Sequence, residues 1–244
     1  LTQFISMIIK YFFIKSVLDD KKIKISDIFK QKINMTMFKE LKVFSFIVYN
    51  NFDSALRLLT TQLDVFLLGK LYGSELVGIY KITKETSKLV MKLSSPVYQS
   101  IYPEFSKLIA KEEFMSAKKM AIQISKYAGL MGLVFYGLFY IFGKQLIILI
   151  FGFEMVEAYS VSLVYIGVVL LSLISLPMPS LMHALGLAKH AFCNQLIASI
   201  LYCVILYLLV VKYSIYGAAV SMIFFHLLWF IGSAYIIIKH KNLK

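Results

Sequence analysis

Charged residues are scarce in this chain: Asp, Glu, Lys and Arg together make up 16% of its 244 residues. A soluble domain carries roughly a quarter, so the soluble classes are excluded. Disordered chains, which replace apolar residues with charge, are excluded too. Cysteine is nearly absent, and Cys193 and Cys203 both fall in one apolar run. That placement suits neither a disulfide framework nor metal-ligand spacing. No stretch rich in Gly, Pro or Ser cuts the chain, so residues 1–244 read as one domain. Histidine is sparse: His183 and His190 flank Gly186, His240 is near the end, and only His226 lies in an apolar stretch, where packing or hydrogen bonding is its expected role. No glycine-rich phosphate cradle, HExxH or nucleophile elbow is present. The expectation is therefore no catalytic residue, no metal, no cofactor and no enzyme.

Acidic residues are outnumbered, 13 against 26 basic ones, for a net charge of +13. In a soluble fold this would suggest nucleic acid. No basic stripe on a soluble fold supports that here, and basic residues of membrane proteins collect in cytoplasmic loops. No nucleic-acid partner is expected.

What the chain has in abundance is apolar surface: 59% hydrophobic residues and a mean hydropathy of +0.77. At about 20 residues per membrane-spanning helix, that suffices for six or seven spans. The fold class is all-α, a polytopic protein of the lipid bilayer. Residues 1–18 read as the end of one transmembrane helix, without the charged n-region and cleavage site of a signal-peptide pattern. Leu1 falls inside that apolar run, so a piece lacking its amino-terminal part is expected. Residues 19–40 are basic, with Ile25, Ile28, Phe29, Ile33 and Met37 at helical spacing. They suit an amphipathic connector on the cytoplasmic surface. Six spans should follow within 41–238: about 41–69, 75–97, 127–142, 158–182, 192–211 and 217–238. A polar connection containing Pro103 and the run Lys107 to Lys119 separates the second from the third. Pro177 and Pro179 should kink the end of the fourth.

Residues 75–97 decide the topology, because their charges hide them from a hydropathy window. If this segment crosses, the cytoplasmic loops hold seventeen lysines and the outer loops only Lys70, Lys144 and Lys212; if it does not, ten lie inside and fourteen outside. The positive-inside rule favours the crossing and puts the carboxy terminus in the cytoplasm. Lys81, Lys84, Lys88 and Lys92 then fall within about 80° of one another on a helix, with Glu85 at the edge of that face. One charge at the bilayer centre costs at least about 2.5 kcal/mol. The lysines should therefore line a hydrated, cationic cavity whose ligand is an anion; outer ones can also snorkel to the headgroups. In the preceding span Asp53, Arg57 and Asp64 share a face within about 40°. Arg57 is the only arginine in the chain. It can pair with Asp53 one turn away, whereas Asp64 must lie near the outer interface or pair across helices.

Four segments, in order, resemble the carboxy-terminal half of bacterial polysaccharide flippases, the O-antigen and capsule repeat-unit exporters of the multidrug/oligosaccharidyl-lipid/polysaccharide superfamily. They are Leu63-Asp64-Val65-Phe66-Leu67-Leu68-Gly69 running on to Val77-Gly78-Ile79-Tyr80, and Ser94-Ser95-Pro96 to Tyr102-Pro103-Glu104-Phe105-Ser106. The third is Ile150-Phe151-Gly152 with Glu157-Ala158-Tyr159. The fourth is Ala184-Leu185-Gly186 with Lys189, followed by Ile215-Tyr216-Gly217-Ala218-Ala219. The resemblance implies one six-helix lobe of a two-lobe exporter of the bacterial cytoplasmic (inner) membrane, with the amino-terminal lobe of the same protein as its missing partner. It implies flipping of an undecaprenyl-diphosphate-linked oligosaccharide for surface polysaccharide biosynthesis, alongside polysaccharide polymerase and glycosyltransferases. Arg57, Lys84 and Lys88 would contact the diphosphate, Lys81 and Lys92 would add to the field, and Asp53, Asp64 and Glu85 would be the acidic residues of the cavity. Two alternatives stand beside it. A multidrug or cation antiporter would want more acidic residues. A membrane glycosyltransferase or polymerase would want a larger outer loop than residues 143–157.

Overall fold

The helices follow from long runs free of proline and glycine clusters, broken where those residues recur. The computed structural model describes residues 43–240. The readings of residues 1–18 and 19–40, and of the last lysines, lie outside the described residues. Those from Phe46 onward gather into one unit. Seven α-helices make it up: α1 (Val43–Tyr72), α2 (Ser74–Leu93), α3 (Ser95–Ala110), α4 (Phe114–Phe151), α5 (Ala158–Ile174), α6 (Pro177–Ala184) and α7 (Ala188–Lys239). A short 3₁₀ turn, Phe153–Met155, precedes α5. No strand occurs among the described residues.

The connections are tight. Gly73 (φ 84°) and Gly152 (φ 91°) end α1 and α4 in the left-handed region that only glycine enters at no steric cost. In α7 the break comes at Ser214, at φ 52° and ψ −128°, so the element is two antiparallel arms, 188–213 and 215–239. The Gly73 turn and this break lie at one end of the bundle, where Tyr72 Oη donates to the carbonyl of Val210 at 2.9 Å. Gly217 lets the second arm start against the first, since a Cβ there would collide with the Leu209 carbonyl.

At the centre is α5, with α2, α4 and α7 packed around it. The larger core joins Leu68, Tyr80, Tyr165, Tyr202, Met222 and Phe225. The smaller one joins Ile101 and Phe105 of α3 to Leu173, Leu176 and Leu181. Gly129 and Gly132 of α4 sit directly under Ile174 and Leu170 of α5, the small-residue contact by which helices approach closely in lipid. Only 17% of the most apolar window of α4 is buried, against 56% for residues 158–184. Thus α4 presents a wall of Leu130, Leu133, Val134 and Ile141 outward, as a lipid-facing helix does.

Among the described residues, three helical stretches are long and apolar enough to cross a membrane: Phe114–Phe151, Ala158–Ala184 and Ala188–Lys239. The expectation of six is corrected to that number on length and composition. The physical reasons are specific. The expected spans 192–211 and 217–238 are the two arms of α7, which count once as a continuous element, while α1 carries Asp53, Arg57, Asp64 and Lys70, and α2 carries four lysines and two glutamates. A second correction concerns residues 103–119. In place of a polar connection, Pro103 sits inside α3 and only Lys111–Glu113 form a turn. The helix is retained because Ile101 and Phe105 bury one face of it. The kink before Pro177 is present, at Ser175 and Leu176.

Candidate functional site

The polar residues of α1 and α2 separate into three groups with different surroundings. The first is a buried junction. Lys84 Nζ lies 2.9 Å from both carboxylate oxygens of Asp64, with side-chain exposures of 9% and 0%. Its remaining donor capacity goes to the carbonyl of Thr61 at 2.5 Å, and Tyr80 Oη donates to Asp64 Oδ2 at 2.7 Å. The helical spacing of Tyr80, Thr83, Lys84 and Ser87 puts all four on the face of α2 that packs inward. Asp64 therefore pairs across helices, one of the two arrangements the sequence allowed. Lys84 is held by this clamp and does not share an open surface with the other lysines.

The second group is that open surface. Lys81, Glu85, Lys88 and Lys92 are all exposed, and their spacing of four, three and four residues makes one stripe along the helix. Lys88 donates to Glu85 at 2.5 Å. Burying none of these charges, the stripe keeps a net charge of +2.

The third group surrounds a cavity of about 400 Å³, within the usual range of about 300–1,000 Å³ for small-ligand sites. Arg57 is its one charged wall residue. The Arg57 Nε–Asp53 Oδ2 distance is 2.9 Å, with side-chain exposures of 40% and 5%, and its guanidinium lies 5.3 Å from the ring centroid of Trp229, a cation–π contact. From α2 and its carboxy-terminal cap come Met91 and Ser94, from α5 and the kink after it Ser172 and Ser175, and from the two arms of α7 Gln195, His226 and Trp229. Thus Asp53 and Arg57 do pair one turn apart, and Arg57 joins a cavity separate from the lysine stripe.

Sequence reasoning missed this cavity, although signals for it existed. Trp229 is the only tryptophan of the chain, and Gln195, Ser172 and Ser175 interrupt otherwise apolar spans. What the sequence does not give is that α5, α6 and both arms of α7 converge on Arg57.

Long apolar helices joined by tight turns, with polar side chains turned inward or along one stripe, define an integral membrane protein of the helical, multi-pass class. A family model described as polysaccharide biosynthesis protein matches residues 23–160, more than half of the chain. The protein belongs to that family. No curated protein and no solved structure matches the chain. The matched stretch holds the clamp, the stripe and Arg57; the arms of α7 lie beyond it.

Proposed function

We propose that the protein translocates a polyprenyl-diphosphate-linked oligosaccharide across the cytoplasmic membrane for surface polysaccharide biosynthesis, O-antigen or capsule. Its family membership makes its role one in polysaccharide biosynthesis. The observation that carries the finer reading is the exposed stripe of Lys81, Glu85, Lys88 and Lys92 on α2. On this reading α1, α2, α4, α5–α6 and the two arms of α7 are six crossings of one lobe, with the carboxy terminus cytoplasmic as the lysine distribution favours. Each lysine facing acyl chains would cost at least about 2.5 kcal/mol. The stripe therefore faces a hydrated path completed by a second lobe, and its excess positive charge attracts the diphosphate of the carrier lipid. Lys84, the remaining lysine of the helix, braces that surface from behind, and Arg57 stands in the neighbouring cavity, paired with Asp53.

The antiporter alternative is disfavoured by the same geometry. Asp53, Asp64 and Glu85 each hold a cation of the chain itself, so the three acids near the stripe and the cavity are already paired, and Glu75 stands apart in the first turn of α2.

Replacing Lys88 and Lys92 by alanine tests the proposal. Surface polysaccharide should fall at least tenfold while the membrane level of the protein stays unchanged. Normal export by that variant would remove the stripe from the mechanism.

A further inference from the structure

The cavity around Arg57 is lined, among its polar groups, mainly by hydrogen-bond acceptors. Its hydroxyl groups have already used their protons. Thr61 Oγ1 donates to the carbonyl of Leu58 at 2.9 Å, Ser94 Oγ to Met91 at 2.7 Å, Ser172 Oγ to Val168 at 2.8 Å and Ser175 Oγ to Ser172 at 3.1 Å. Gln195 directs one amide N–H to Ser199 Oγ at 3.3 Å, which leaves its carbonyl oxygen and its second N–H. His226 Nδ1 lies 3.0 Å from the carbonyl of Met222. A carbonyl only accepts, so Nδ1 bears the proton and Nε2 of the neutral ring is an acceptor.

The wall thus offers lone pairs on four hydroxyls, an amide and an imidazole, beside the Nη donors of Arg57, whose Nε alone is engaged by Asp53. Asp53 balances the guanidinium charge at 2.9 Å. A phosphate brings acceptors only, so it would leave most of this wall unpaired, and an unmade hydrogen bond to a buried group is costly. A neutral ring bearing several hydroxyl donors is the complement. The aromatic surfaces of Phe225 and Trp229 in the same wall suit the C–H face of such a ring.

We infer that this cavity is a sugar subsite, taking one neutral, hydroxyl-rich ring of the lipid-linked glycan and not its diphosphate. The inference rests on the translocation reading and divides the work of that site. The diphosphate lies along the α2 stripe, and the glycan enters the cavity past Met91 and Ser94, the lining residues on either side of Lys92 at the end of α2.

Trp229 gives a direct readout. In detergent-purified protein, the tryptophan emission that the Trp229→Phe variant lacks is titrated with glucose, galactose, N-acetylglucosamine and N-acetylgalactosamine. Parallel titrations use inorganic pyrophosphate, and sodium chloride against choline chloride. At least one sugar should give a saturable change, and pyrophosphate and sodium should give none. Ser172→Val and Gln195→Leu should each weaken the responding sugar by about tenfold, the loss of one good hydrogen bond. Saturation by pyrophosphate or sodium without any sugar response, or no response at all, overturns the inference. The translocation reading stands apart from this result, because it fails only if export survives the loss of Lys88 and Lys92.

Discussion

Lys84 and Lys88 lie one turn apart on α2, yet their substitution should have different consequences. Removing Lys84 leaves the carboxylate of Asp64 buried and unpaired, a defect of about 3–5 kcal/mol. Lys84→Ala should lower the thermal midpoint of the purified protein and its level in the membrane. The double replacement Lys84→Met with Asp64→Leu should recover more than half of that loss, since an apolar pair of similar volume removes both charges. A single variant as stable as the wild type would contradict the clamp. Tyr80→Phe is the milder probe: losing its 2.7 Å donation to Asp64 should cost about 1–3 kcal/mol, read in the same melt. Lys88→Ala should leave the midpoint within about 0.5 kcal/mol of wild type, as exposed substitutions do. The sequence made these residues visible as charges on one helix, because helical angle is simple arithmetic. It did not separate them, because the partner of Lys84 comes from α1, and only packing tells which edge of a charged face turns inward.

Among the elements, α7 is the one whose backbone carries strain. Ser214 holds φ 52° and ψ −128°, a region costing a non-glycine residue about 1–3 kcal/mol. Ser214→Gly should therefore raise stability by about 1 kcal/mol, seen as a higher melting temperature. Gly217→Ala should do the reverse and lower the yield of folded protein, because its new Cβ meets the Leu209 carbonyl. If Gly217→Ala is neutral, the two arms do not close as described. Much of the element order was legible beforehand. The kink ahead of Pro177 came from proline chemistry, and the long apolar runs gave α4, α5 and α7. The helix α3 was not legible, since Pro103 and its flanking charges mimic a loop; burial of Ile101 and Phe105 outweighs the hydrogen bond that Pro103 cannot donate. The break of α7 at Ser214 falls between the two apolar runs read at 192–211 and 217–238.

At the scale of the whole molecule, the described residues form an apolar outer wall on α4, a charged stripe on α2 and a polar cavity bounded by α1, α5, α6 and α7. This division is what a translocator of an amphipathic, anionic glycolipid requires: grease outside, positive charge along a hydrated path and hydroxyl-complementary surface beside it. Composition alone established the membrane class and the excess of lysine. The cavity stayed invisible because its residues are spread from Arg57 to Trp229 and meet only in the folded bundle. The most direct test of the account follows the labelled lipid-linked oligosaccharide in cells whose only copy of the protein carries Lys81→Ala, Lys88→Ala and Lys92→Ala, at membrane levels equal to wild type. The account predicts that the glycolipid accumulates on the cytoplasmic leaflet, shielded from enzymes added outside. Appearance of the glycolipid on the outer leaflet at the wild-type rate would contradict it.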